Sequence, residues 1–171
     1  ADKDGMTALH HAVKNENMEV VTLLLEKHAD VNLADNQGKT ALYHAIMTEE
    51  VDMVKLLLGK GAGIDLGDEN GWTALHVAIM TANVDMVMLL LEEGANVEQE
   101  TLNGVTPLAL VAEYGYVEIG RLLLAKGAKA RHQESKDKEG PVWKLLQRLV
   151  WDRQVEQASA ALETSQQPAA H

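Results

Sequence analysis

A period of 33 residues dominates this chain. The segments Gly5-Met6-Thr7-Ala8-Leu9-His10, Gly38-Lys39-Thr40-Ala41-Leu42-Tyr43, Gly71-Trp72-Thr73-Ala74-Leu75-His76 and Gly104-Val105-Thr106-Pro107-Leu108-Ala109 align with their glycines 33 residues apart and no insertion between them. Leucine triplets starting at Leu23, Leu56, Leu89 and Leu122 keep the same interval. A short unit repeated in this way cannot cover its own apolar surface and does so only against its neighbours, which forces a stacked, quasi-linear architecture. Four units result: 2–34, 35–67, 68–100 and 101–133.

Each column has a physical reason. Asn70-Gly71 and Asn103-Gly104 are tight-turn pairs, since both residues tolerate positive φ. The threonine two positions after each glycine (Thr7, Thr40, Thr73, Thr106) is placed to cap a helix that follows at once. Pro107 then falls at a first helical position, where its missing N–H is harmless. The first helix is short, with Leu9, Ala12 and Val13 on one face in the first unit and Leu75, Ala78 and Ile79 in the third. A second helix begins near an acid (Glu19, Asp52, Asp85, Glu118) suited to its positive end. It runs through the leucine triplet and stops at Gly61, Gly94 and Gly127, with His28 in that slot in the first unit.

This turn–helix–turn–helix unit resembles the ankyrin repeat family. The family's Thr-Pro-Leu-His-x-Ala signature stands here as Thr7-Ala8-Leu9-His10-His11-Ala12 and Thr73-Ala74-Leu75-His76-Val77-Ala78. The expected fold is an all-α solenoid of stacked helix–turn–helix units with β-turn fingers. The chain departs from the family between the two helices, where Glu16, Glu49 and Ala82 occupy a slot usually given to Gly and Gly115 alone conforms. The turn geometry at those three positions is left open.

The ends are less regular. With nothing ahead of Asp2 to cover the first unit, and no initiator Met, the chain is expected to be a fragment of a longer parent. After residue 133 the period slips by three residues. Reading Asp137-Lys138-Glu139-Gly140-Pro141-Val142-Trp143 as a finger, the stripe Val142, Leu145, Leu146, Leu149 and Val150 as one helix, and Val155, Ala158 and Leu162 as a second, makes 134–163 a degenerate fifth repeat that caps the stack. Residues 164–171 are expected to be disordered.

Little here suggests chemistry. Gly38-Lys39-Thr40 mimics the end of a P-loop, but the motif's first glycine would have to stand where Leu33 does. Gly59-x-Gly61-x-Gly63 follows a helix and reads as a helix end. His11 and His44 share a column and could approach each other as a metal or pH-sensing pair, though no third ligand accompanies them and zinc takes three or four. By the resemblance, His10 and His76 are structural, bonding to backbone near the turns. No catalytic residue, metal site or cofactor is expected.

Charge points instead to a binding partner. The chain carries 15 Lys+Arg against 26 Asp+Glu, a formal net charge of −11, and has no cysteine. Nucleic-acid binding relies on Lys and Arg releasing phosphate counterions, so it is disfavoured; disulfides and thiolate sites are excluded, and no apolar run is long enough to span a bilayer. The third unit contains seven acids and no Lys or Arg. Within it Trp72 occupies a finger-tip column that the resemblance makes exposed, held elsewhere by Met6, Lys39 and Val105. Met47 and Met80 share a column near the end of the first helix with Glu113, beside Thr48, Thr81 and Tyr114. Adaptable Met with rigid Trp and Tyr suits contact. Trp72, Glu69, Asn70, Lys39, Met47, Thr48, Met80, Thr81, Glu113 and Tyr114 are therefore the expected partner site, for a protein segment with some basic character.

Two other classes stay in play: a regulatory domain contacting other parts of its own parent chain, such as a larger enzyme or channel, and a small-molecule sensor using Trp72, Lys39 and Tyr114. The absence of a signal peptide or cysteine fits the cytoplasm or nucleus.

Overall fold

The computed structural model describes residues 1–129 and 141–165. Among them are nine helices. Four pairs carry the period: α1 (Ala8–Lys14) with α2 (Met18–Glu26), α3 (Ala41–Met47) with α4 (Val51–Gly59), α5 (Ala74–Met80) with α6 (Val84–Glu92), and α7 (Pro107–Tyr114) with α8 (Val117–Ala125). The first helices of successive pairs start 33 residues apart, and each packs on its own partner and on the first helix of the next unit. One isolated antiparallel bridge, Ala34 with Thr40, is the β feature among the described residues.

The expected caps are in place. Thr7, Thr40 and Thr106 each accept a hydrogen bond from the backbone N–H three residues on. Asn17 and Asn83 do the same for α2 and α6. The turns between helices resolve the open point: Glu16, Glu49 and Ala82 take φ of 54°, 59° and 55°, the left-handed geometry that Gly115 adopts at 78°. His28 likewise takes φ 62° where the other units have glycine. Left-handed L-residues are strained by about 1–2 kcal/mol each, so stacking must over-determine these turns.

The core is a continuous seam through the stack. Leu9, Leu42, Leu75 and Leu108 are buried in one column, and Leu57, Leu90 and Leu123 in another; Leu24 is half-buried. Full burial of one such side chain is worth roughly 1.5–3 kcal/mol. The open side of the first unit differs. Val20 and Leu23 are exposed there, whereas Met53, Met86 and Ile119 in the Val20 column are buried.

Beyond the fourth unit the structure departs from the expected two-helix cap. Pro141–Ser165 forms one continuous helix, α9, packed on α7 and α8. No Gly or Pro interrupts Trp151 to Ser165, and Gln, Glu, Ala and Leu there favour helix, so nothing breaks it into a pair. Thr164 and Ser165 belong to α9; the rest of the tail expected to be disordered, from 166, lies outside the described residues, as does the finger expected around 137–140.

The seam between α8 and α9 is cut into the repeat itself. Val21, Val54 and Val87 are buried in one column, and the fourth member is Gly120. A Cβ there would lie 2.7 Å from Leu149 Cδ1, so glycine vacates the space that Leu149 fills. Arg121 fastens the same seam, its Nη2 at 3.2 Å from Asp152 and its Nη1 at 3.1 Å from Glu156.

Candidate functional site

The fingers are joined edge to edge. Asn36 N–H donates to Asp4 O (3.0 Å), Glu69 N–H to Gln37 O (2.9 Å) and Leu102 N–H to Asn70 O (2.9 Å). Close approach requires glycine at the turn: a Cβ on Gly38 (φ 76°) would stand 2.5 Å from Glu69 N. Each of the first three fingers is also tightened by an aspartate. Asp2, Asp35 and Asp68 accept two backbone N–H bonds from their own turns through Oδ1.

The histidines are structural in two columns. His10 Nε2 faces Lys39 O at 3.1 Å and His76 Nε2 faces Val105 O at 3.2 Å, each reaching the finger of the next unit. A carbonyl only accepts, so Nε2 carries the proton and Nδ1 accepts, from Thr7 N–H at 3.0 Å and Thr73 N–H at 3.3 Å. Burial pushes both imidazoles below their ordinary value, against the raising effect of those carbonyls.

His11 and His44 do not form the imagined pair. His11 binds Asp2 (2.8 Å) and His44 binds Asp35 (3.0 Å), each within its own unit, and the ring that meets His44 edge-on across units is His10, at 5.6 Å. Desolvation lowers the His44 pKa despite Asp35. At Asp35 burial raises the pKa, but the N–H groups of Lys39 and Gln37 and the bond to His44 outweigh it and the net shift is downward. Among the described residues no three His, Asp or Glu side chains converge as metal ligands would.

The expected partner residues fall on two strips. At the fingers, Glu69 and Asn70 are exposed, whereas Lys39 is half-buried, with Nζ 5.1 Å from the Tyr43 ring centre and 3.1 Å from Gln37 Oε1. Trp72 is less open than its column implies. It is half-buried and packed on the core, its ring 5.8 Å from that of His76, which lies in the first turn of α5 just after it. At the ends of the inner helices, Met47 (48%), Met80 (41%) and Tyr114 (48%) are exposed, as is Glu113. Thr48 and Thr81 are half-buried and turn their hydroxyls back to Ala45 O and Ala78 O. Of the three residues considered for a small-molecule sensor, Lys39, Trp72 and Tyr114 each engage a ring of their own unit.

One residue escaped the sequence reading. Leu102, at the fourth finger, is 78% exposed and its backbone adjoins Asn70 and Gly71. The signal was present: Lys3, Asn36 and Glu69 fill that column in the other units, so an apolar residue there has no packing reason.

No described helix is long and apolar enough to cross a membrane. A family model described as ankyrin repeats (3 copies) matches residues 1–68 and 52–134. No curated protein matches the chain.

Proposed function

The chain belongs to the ankyrin-repeat family, and on that premise we propose that it is a non-catalytic recognition module that holds a segment of a partner protein against its fingers and inner helices. Ankyrin repeats are generally protein–protein interaction modules and typically carry no catalytic function of their own. The observation that supports this reading best is Leu102, an apolar side chain held almost wholly in water on a finger whose backbone is fixed to its neighbour. A rigid template loses little ordering entropy on binding, so such an anchor contributes nearly its full contact energy. The acidic third unit favours a partner segment with basic character and repels nucleic acid. The cytoplasm or nucleus is the location we propose for it.

The test is a dissociation constant. A partner captured from native lysate, identified and purified, binds Leu102→Ser about tenfold more weakly than wild type and Trp72→Ala about 30-fold more weakly. Leu102→Ser leaves stability within about 0.5 kcal/mol because the side chain packs on little. Trp72→Ala lowers it by about 2 kcal/mol through lost packing on the core and on His76. Equal affinity for wild type and both variants would remove the fingers from the site.

A further inference from the structure

The turns joining the two helices of each unit form an edge of their own, and in the second to fourth units that edge is unusual. The repeat register sets Met47 beside Met80, and Thr48 and Thr81 beside Tyr114. The second and third turns are tied together by Asn83 Nδ2 donating to Glu49 Oε2 at 3.1 Å. Met47, Met80, Tyr114 and Val117 are all exposed on it.

In the fourth unit a cap has been replaced by an aromatic. Asn17 and Asn83 cap α2 and α6, whereas Glu50 and Tyr116 in the same column make no capping bond. Loss of an Asn cap is worth about 1 kcal/mol. In its place Tyr116 stacks on Tyr114, ring centres 5.6 Å apart and planes 18° from parallel. The pair holds the Tyr114 ring flat and half in water, an arrangement that serves contact better than folding.

Along these three turns the charge has one sign, although Lys14 continues the Met column in the first unit. Between 47–53, 80–86 and 113–119 there are six carboxylates and no Lys or Arg. Asp52, Asp85 and Glu118 lie in first turns and complement helix N-termini. Glu49 and Glu113 are exposed and stand at no helix N-terminus; Glu50, also exposed, is the N-cap residue of α4 but makes no side-chain capping bond.

We propose that this edge holds an amphipathic basic helix of a partner protein. Its apolar residues seat on Met47, Met80 and Tyr114, and its Lys or Arg residues face Glu49, Glu50 and Glu113. Packed helices lie about 8–10 Å apart, which sets the spacing from one unit's edge to the next. A helix returns to nearly the same face after seven residues, or about 10.5 Å, and matches that spacing. A β-strand returns to one face in steps of about 6.6 or 13 Å and does not. A polyproline helix, with a turn of about 9.3 Å, matches in length. The α-helix, about 10–12 Å across, is broad enough for basic side chains beside its apolar seam to reach carboxylates beside the Met column. This inference rests on the reading of the chain as a protein-binding module.

The test uses the full chain with ¹³C-methyl methionine and synthetic peptides of about three heptads: Leu/Lys with helical spacing, Leu/Glu with the same spacing, and a Pro/Lys peptide. The Leu/Lys peptide shifts the Met47 and Met80 signals and leaves those of the buried Met53 and Met86 in place. Met80→Lys and Tyr114→Thr, which install residues already tolerated in their columns at Lys14 and Thr48, each weaken it about 30-fold. Unmoved Met53 and Met86 signals in the free variants verify their fold. The inference is overturned by no shift at about 1 mM peptide, by an equal response to the acidic or Pro/Lys peptide, or by variants that bind like wild type. A peptide that perturbs the fingers instead overturns this edge and leaves the module reading standing. A purified native partner indifferent to Leu102→Ser, Trp72→Ala, Met80→Lys and Tyr114→Thr alike removes both.

Discussion

Ala82→Gly makes this protein more stable, although glycine is ordinarily the residue that weakens a structure. Ala82 sits in the turn between α5 and α6 with φ 55°, its side chain exposed and its N–H bonded to Ile79 O at 2.9 Å. The substitution removes no packed contact and keeps that hydrogen bond. It relieves left-handed strain of about 1–2 kcal/mol and gives back about 0.4–1 kcal/mol through the greater freedom of the unfolded chain. The net gain is about 0.5–1 kcal/mol, a rise in Tm of roughly 1–4 °C for a chain of this size. Gly115→Ala, at φ 78° in the matching turn, makes the reverse change and loses a similar amount. Urea unfolding followed by circular dichroism measures both, with the midpoint compared at unchanged m-value. If Ala82→Gly unfolds at lower urea than wild type, or Gly115→Ala at the same urea, the argument from strain is wrong.

Three other outcomes are expected. Gly120→Val, which restores the residue of the Val21, Val54 and Val87 column, displaces Leu149; α9 detaches, read as loss of hydrogen-exchange protection there, while protection of α1 to α6 is unchanged. Glu93→Lys stabilises by about 0.3–1 kcal/mol, because Glu93 caps the negative end of α6 where Lys27, Lys60 and Lys126 cap α2, α4 and α8; the gain shrinks in high salt, and a salt-independent gain would refute the dipole argument. Stability falls as pH is lowered from the ordinary histidine value of 6.5, because His10, His44 and His76 have depressed folded values and the unfolded chain takes up protons first. Protonated Nδ1 of His76 would also face the Thr73 N–H as a second donor. His76→Gln flattens that slope in a denaturation series from pH 7.5 to about 5 and lowers stability by about 2 kcal/mol at neutral pH.

What could be read in the sequence follows from what repeats. Cap, turn glycine and leucine columns recur four times, so each is tested three times over, and helix positions follow from them. The left-handed turns were visible as a slot but not as a geometry, since Glu16, Glu49 and Ala82 would relax elsewhere if neighbouring units did not hold them. The single helix α9 was hidden by the period itself: an expectation of paired helices divided a segment that contains no breaker. Trp72 reads as a finger-tip residue by column, but its burial depends on a contact with His76 that the column alone does not reveal. Leu102, Tyr116 and Gly120 share a different signal. Each breaks a column that the other units keep, polar at the first and second and valine at the third. Such breaks mark places where a unit meets something other than another unit.

Gly120 turns that last point into a rule about ancestry. Whole units can be gained or lost ahead of the fourth without opening such a hollow, because Val21, Val54 and Val87 fill this column in every earlier unit. A unit inserted after it would meet a surface hollowed for Leu149 and leave a void where valine belongs. The family of lengths open to descendants of this chain is therefore extensible in one direction and closed in the other, and a single missing side chain closes it.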